Sequence, residues 1–263
     1  MNSGSLILAV DCGNTNIKFG VFEGSELKKQ FRIQTDPAKT SDEYYVILRT
    51  LLLADKIEPS EFQGAILSSV VPPVLPLLER AIEKTLGHTC LVVRPGIKTG
   101  VAIAAENPKE LGSDLLCLAV GAHTRHELPA IIISLGTATA FVAVSEKTEI
   151  LGVAIAPGIL TGARSLASGA AKLPEIELAK PSNALGKNTI EAMRSGIVYG
   201  FSGLVDRVCI EMSKEMKKQP IIIATGGLLN IISQTTISIN RYDPFLSLYG
   251  LKALYDKNVE NSK

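Results

Sequence analysis

With 263 residues, 46% of them hydrophobic and 20% charged, the chain can bury one large core or two smaller ones. A formal net charge of +1 leaves no electrostatic footprint for nucleic acid. The longest apolar runs, such as 130–133 and 221–224, are too short to span a bilayer. Residues 6–10 lack the basic start, length and cleavage site of a signal peptide. Cys12, Cys90, Cys117 and Cys209 are scattered with no CxxC pair, so neither zinc nor a disulfide framework is expected and a reducing cytoplasm is the default.

The chain opens on LILAVDCGNTNIKFG at 6–20: an apolar strand, Asp11, a Gly13-Asn14-Thr15 turn and a second strand through Ile17, Phe19 and Val21. A carboxylate delivered to a turn of small polar residues suits a phosphate and its metal ion, although Asn and Gly also make ordinary hairpin turns. A third strand at 27–33 completes an antiparallel meander. Thr40 to Glu43 carry helix-starting chemistry before an apolar-periodic segment to 53. Residues 64–71 read as a buried strand, 75–86 as an amphipathic helix and 90–93 as a short strand, which together argue for a mixed α/β sheet.

Residues 99–112 read as loop and 110–122 as helix. The pattern then restarts: AIIIS, a Leu135-Gly136-Thr137 turn and the strand ATAFVAV, followed by a third strand into Gly152. Aligned on the turns, AVDCGNT falls against IISLGTA, so Ser134 stands where Asp11 does. An internal repeat of this kind implies two duplicated lobes, 1–125 and 126–263. A helix starts at 159, 172–188 is loop, and 189–212 is a long helix. Its glycines at 196–203 allow another helix to pack closely. A strand at 220–224 runs into Thr225-Gly226-Gly227, an arrangement that suits a nucleotide. Residues 242–256 form a closing helix.

Eight motifs occur in one order: DCGNTNIKFGVFEG at 11–24, SSVVPPV at 68–74, ENPKELGSD at 106–114, GTAT at 136–139, GVAIAPGI at 152–159, LPEI at 173–176, GKNT at 186–189 and ATGG at 224–227. By these the chain resembles the actin-like, sugar-kinase and Hsp70-type ATPases, and more closely the type III pantothenate kinases. The resemblance implies an α/β fold of duplicated actin-like (ribonuclease H-like) lobes, each a mixed sheet with an antiparallel meander and flanking helices. It implies a cytoplasmic homodimer that phosphorylates pantothenate to 4'-phosphopantothenate with ATP, Mg²⁺ and a monovalent cation (K⁺ or NH₄⁺), without nucleic acid or membrane as partner.

The same resemblance implies roles by position. Asp11, Cys12, Gly13, Asn14, Thr15, Asn16, Ile17 and Lys18 form the first ATP loop, with Asp11 near the nucleotide's Mg²⁺. Gly136 and Thr137 contact ATP phosphates, and Gly226 and Gly227 lie near the adenosine. Gly112, Ser113, Asp114, Leu115 and Thr189 line the substrate site, with Asp114 as proton acceptor; on the residues alone, Asp114 also reads as a helix N-cap. Three positions depart from the family pattern. Ser134 replaces the aspartate that holds the monovalent cation, Leu115 replaces an arginine expected on the pantothenate carboxylate, and Ala105 replaces a tyrosine. They leave two alternatives open beside the pantothenate kinase: a weakly active or inactive nucleotide-binding or regulatory paralogue, and a kinase of a different, uncharged alcohol. Cys12 reads as a packing residue, Lys187 as a solvated loop lysine, and His123 and His126 as flanking a helix end.

Overall fold

The computed structural model describes residues 5–104 and 110–259. These form two compact units, one of residues 5–100, 110–125 and 246–259, the other of 101–104 and 126–245. The closing segment, read from the sequence as part of the second lobe, therefore belongs to the first.

In the first unit, β1 (Leu6–Cys12), β2 (Asn16–Glu23) and β3 (Glu26–Gln34) form the expected antiparallel meander. β4 (Phe62–Ser69) joins β1 in parallel and β5 (Cys90–Val92) joins β4, giving the order β3-β2-β1-β4-β5. Strand alternation sorts β1 into two faces. Leu6, Leu8, Val10 and Cys12 enter a core with Tyr44, Leu48 and Leu52 of α1 (Ser41–Ala54) and with Leu78 and Ile82 of α2 (Leu75–Leu86). The opposite face, carrying Ile7, Ala9 and Asp11, lies on the side of α3 (Ser113–Arg125) and α7 (Leu246–Val259), helices that pack on each other and on β4. The start of α1 follows the sequence: Thr40 caps the Glu43 N–H at 3.3 Å, and the Glu43 carboxylate returns to the Thr40 N–H at 2.7 Å.

α3 and α7 touch backbone to backbone. A Cβ on Gly121 would collide with the Leu246 carbonyl, and one on Gly250 with the Cys117 carbonyl. This contact explains the placement of the closing helix. Its apolar periodicity told that it was a helix, but the docking surface is set by glycines on α3 and α7 more than a hundred residues apart in the chain.

In the second unit, β7 (Ala130–Leu135), β8 (Ala138–Val144) and β9 (Glu149–Pro157) repeat the meander. β10 (Ile221–Thr225) lies parallel to β7, and β11 (Arg241–Tyr242) to β10, so β9-β8-β7-β10-β11 reproduces the first sheet's order. β6 (Ala102–Ile103) adds an edge beside β9, where the sequence reading has loop; Tyr242 of β11, which that reading places in the closing helix, is in a two-residue strand instead, and the helix begins at Leu246. Ile131, Ile133 and Leu135 bury against Val205 and Cys209 of α5 (Thr189–Glu215). α4 (Ile159–Gly169) and the single turn α6 (Leu229–Ile232) also pack on α5. The glycines at 196, 200 and 203 face open space, and no helix among the described residues packs on them.

Gly250→Ala is expected to destabilise the protein by about 3 kcal/mol, because the methyl group must push two helix backbones apart. Gly169→Ala, with nothing near its Cβ, is expected to be neutral or stabilising by about 0.5–1 kcal/mol. Urea unfolding of the two variants beside the wild type measures both.

Candidate active site

The C-terminal ends of β1 and β4 place a row of polar side chains on the α3/α7 face. Asp11 pairs in register with Lys18 on β2 and with Ser68 on β4, and paired residues share a face. Asp11 is only 8% exposed, and a buried carboxylate requires partners. Its Oδ2 accepts a 2.7 Å hydrogen bond from Ser247 Oγ, in the first turn of α7, and lies 3.5 Å from Lys18 Nζ. The Ser68 hydroxyl donates to Ser113 Oγ at 2.9 Å, which holds the first residue of α3 against the same strand end.

Asp114 follows in the first turn of α3, so it is a first-turn acid rather than the cap. Burial raises its carboxyl above the ordinary value; the Leu115 N–H opposes this, the negative charge of Asp11 adds to it, and Lys18 draws it down. Gly112 makes room, since a Cβ there would strike the Asp114 carboxylate. Leu115 is buried, and its recorded link to the site is through its amide rather than its side chain. Ala105 lies outside the described residues.

Beyond Cys12 the chain turns at Gly13, whose N–H donates to the Asn16 carbonyl at 3.0 Å and whose carbonyl accepts from Thr35 Oγ1 at 2.7 Å. Asn14 and Thr15 stand exposed at the tip, and Asn16 and Ile17 lead into β2. The Cys12 side chain is turned into the opposite core. Burial raises its thiol and those of Cys90 and Cys117, and pushes Cys209 up to about 12, so none is a ready nucleophile.

The second unit builds a turn without a carboxylate. The Gly136 N–H donates to the Ala138 carbonyl, and Thr137 is exposed while its carbonyl accepts from the Gly158 N–H and from Thr161 Oγ1 at 2.7 Å. Gly226, at φ +106°, sits so close to the Leu135 carbonyl that a Cβ would overlap it; Gly227 follows, exposed. These four residues are thus brought together at the ends of β7 and β10. Thr189, the first residue of α5, is exposed beside the Asn188 cap. The sequence reading gave no role to Ser247. It placed His126 at a helix end, and His126 does stand just past α3, where its Nε2 also lies 3.1 Å from Oδ2 of the buried Asp243.

Among the described residues no three His, Cys, Asp or Glu side chains cluster as a metal site. A lone carboxylate beside a turn of small residues nevertheless fits Mg²⁺ carried by ATP, because that ion takes one or two protein carboxylates and fills its shell with phosphate and water. The Ser134 position does not fit a monovalent cation in the same way. Its register partner on β10 is Thr225, whose buried Oγ1 has no hydrogen-bond partner among the described residues. Two neutral hydroxyls supply no charge.

Residues 7–211 match the sequence model of the type III pantothenate kinases. The chain is 46% identical, over 97% of its length and 100% of the relative's, to the type III pantothenate kinase of Moorella thermoacetica. Among solved structures it is similar to the activator of the 2-hydroxyisocaproyl-CoA dehydratase from Clostridium difficile with bound ADPNP (TM-score 0.60, 12% identity, 98% of this chain and 97% of that one). It is also similar to component A of the (R)-2-hydroxyglutaryl-CoA dehydratase from Acidaminococcus fermentans (TM-score 0.57, 14% identity, 98% and 100%). At these identities the structures speak for the fold alone, a duplicated α/β plan of two mixed sheets. With a family match over most of its length and a full-length relative at 46% identity, the chain belongs to the type III pantothenate kinase family.

Proposed function

We propose that this protein transfers the γ-phosphoryl group of ATP to the primary hydroxyl of pantothenate, giving 4'-phosphopantothenate and ADP. The observation that carries the reading is Asp114, a half-buried carboxylate with raised proton affinity, set beside the Asp11–Lys18 pair where β1, β4, α3 and α7 converge. Asp114 accepts the hydroxyl proton as the alcohol oxygen bonds to phosphorus and the bond to the ADP oxygen breaks. Its proton affinity suits this, because a base that holds the proton more firmly than an ordinary carboxylate removes it better near neutral pH. Lys18 offers positive charge to the phosphates, and the turn from Cys12 to Ile17 lets the nucleotide approach the backbone. Asp11 would be the carboxylate that holds Mg²⁺ carried by the nucleotide, an ion that would neutralise charge on the phosphates.

In the second unit, Gly136, Thr137, Gly226 and Gly227 offer turns without side-chain bulk and serve as ATP contacts in this reading. Gly112, Ser113, the Leu115 segment and Thr189 serve the pantothenate. The reaction runs in the cytoplasm, in keeping with four free, buried cysteines. Among the described residues no helix is long and apolar enough to cross a membrane.

The active form in this reading is a homodimer. Gly196, Tyr199, Gly200 and Gly203 recur at helical spacing on one exposed stripe of α5, where the glycines meet nothing in their own chain. Close approach of a second copy would use that stripe.

The wild type is expected to release ADP only when pantothenate, ATP and Mg²⁺ are all present, and ³¹P NMR identifies the phosphorylated product. Asp114→Asn lowers kcat/KM about a thousandfold. Binding of ATP without pantothenate-dependent turnover would overturn the reading in favour of a nucleotide-binding paralogue, and turnover with a neutral alcohol alone would reassign the substrate. Stability moves the other way. A carboxyl whose proton affinity is raised by folding contributes fully below the ordinary carboxylate range and costs stability as pH rises through its folded value. Asp114→Asn therefore raises Tm at pH 7.5, and the gain shrinks toward pH 4. For the dimer, Gly200→Trp raises the dissociation constant by about a hundredfold in sedimentation equilibrium; an unchanged value would rule out this stripe.

A further inference from the structure

The Asp11 carboxylate is held unevenly. Both of its recorded partners, Ser247 Oγ at 2.7 Å and Lys18 Nζ at 3.5 Å, engage Oδ2. Oδ1 accepts no hydrogen bond from the described residues. Ser247 is 3% exposed and sits in the first turn of α7, where the helix N-terminus already favours a negative charge. Its backbone cannot drift, because the glycine contacts between α3 and α7 fix the helix. Lys18, on a long flexible stem and partly exposed, orients the carboxylate far less. The hydroxyl of Ser247 is thus the one short, rigid tether on Asp11.

We propose that Ser247 is a positioning residue for phosphoryl transfer: by engaging Oδ2 it presents Oδ1 to the Mg²⁺ ion of bound ATP. The proposal rests on the reading of Asp11 as the nucleotide's metal-side carboxylate. It assigns a role in metal-nucleotide recognition to the closing helix, which none of the eight sequence motifs includes. A hydroxyl that only stabilised α7 would affect binding of ATP with and without metal alike; a hydroxyl that orients a metal-facing carboxylate affects the metal-dependent part.

The test measures dissociation constants of full-length wild type, Ser247→Ala and Ser247→Thr for ATP, once with Mg²⁺ and once with EDTA. Ser247→Ala is expected to weaken MgATP about tenfold, the scale of a lost hydrogen bond to a charged group, and to change metal-free ATP by less than about twofold. Ser247→Thr, which keeps the hydroxyl, returns MgATP affinity to within about threefold of wild type. Equal losses with and without Mg²⁺, no loss in Ser247→Ala, or a wild type whose ATP affinity ignores Mg²⁺ would each overturn the assignment. Because the readout is binding, a wild type that binds MgATP tightly but leaves pantothenate untouched refutes the kinase reading alone.

Discussion

A carboxylate buried at the end of the first strand is the constraint around which this protein closes. Stripped of water, Asp11 requires compensation for its charge, and that compensation comes from opposite ends of the chain. Lys18 lies one turn later on β2, but Ser247 lies 236 residues away on α7. The helix that follows the whole second unit must therefore return to the first sheet before the site exists. Its return is enforced by packing as well as by polarity, because α3 and α7 approach closely enough at Gly121 and Gly250 that no side chain fits between them.

The two sheets share one strand order, yet the turns at their ends have diverged in kind. The first ends in charge: Asp11, Lys18 and the neighbouring Asp114. The second ends in backbone and hydroxyls: Ser134, Gly136, Thr137 and a Gly226 pressed against the Leu135 carbonyl. Duplication preserved the geometry that lets a chain turn sharply at a strand's C-terminal end. It left the side chains free to diverge, one turn toward carboxylates and an ammonium and the other toward close backbone approach.

Much of this was legible in the residues because it is local. Alternating apolar positions gave the meanders, Thr40 and Glu43 gave the start of α1, and the small-residue turns announced the repeat. What was not legible depends on long-range packing. The last helix was assigned to the wrong unit because periodicity shows which face is buried and not against what. Ser247 is a serine between two leucines at the start of α7 and becomes meaningful only beside Asp11. Leu115 was read as a substrate contact from its place in a motif, but the helix turns its side chain into the interior. β6 and β11 are too short for any alternation to register.

The two acids of the first unit show how environment, rather than residue type, divides labour. Both are aspartates near the same strand end, and the charge of Asp11 bears on Asp114. Asp11 has an ammonium and a hydroxyl on one oxygen, so it is anchored and its charge is matched. Asp114 is met by helix amides while burial works against its ionised form, and Asp11's charge presses in the same direction. The proposed reading uses this difference, giving the tethered carboxylate to the metal side and the one whose burial favours its proton to the alcohol. Ser247, which tethers Asp11, and the Ser68–Ser113 bond, which ties the start of α3 to the end of β4, are therefore as much a part of this strand end as the acids themselves.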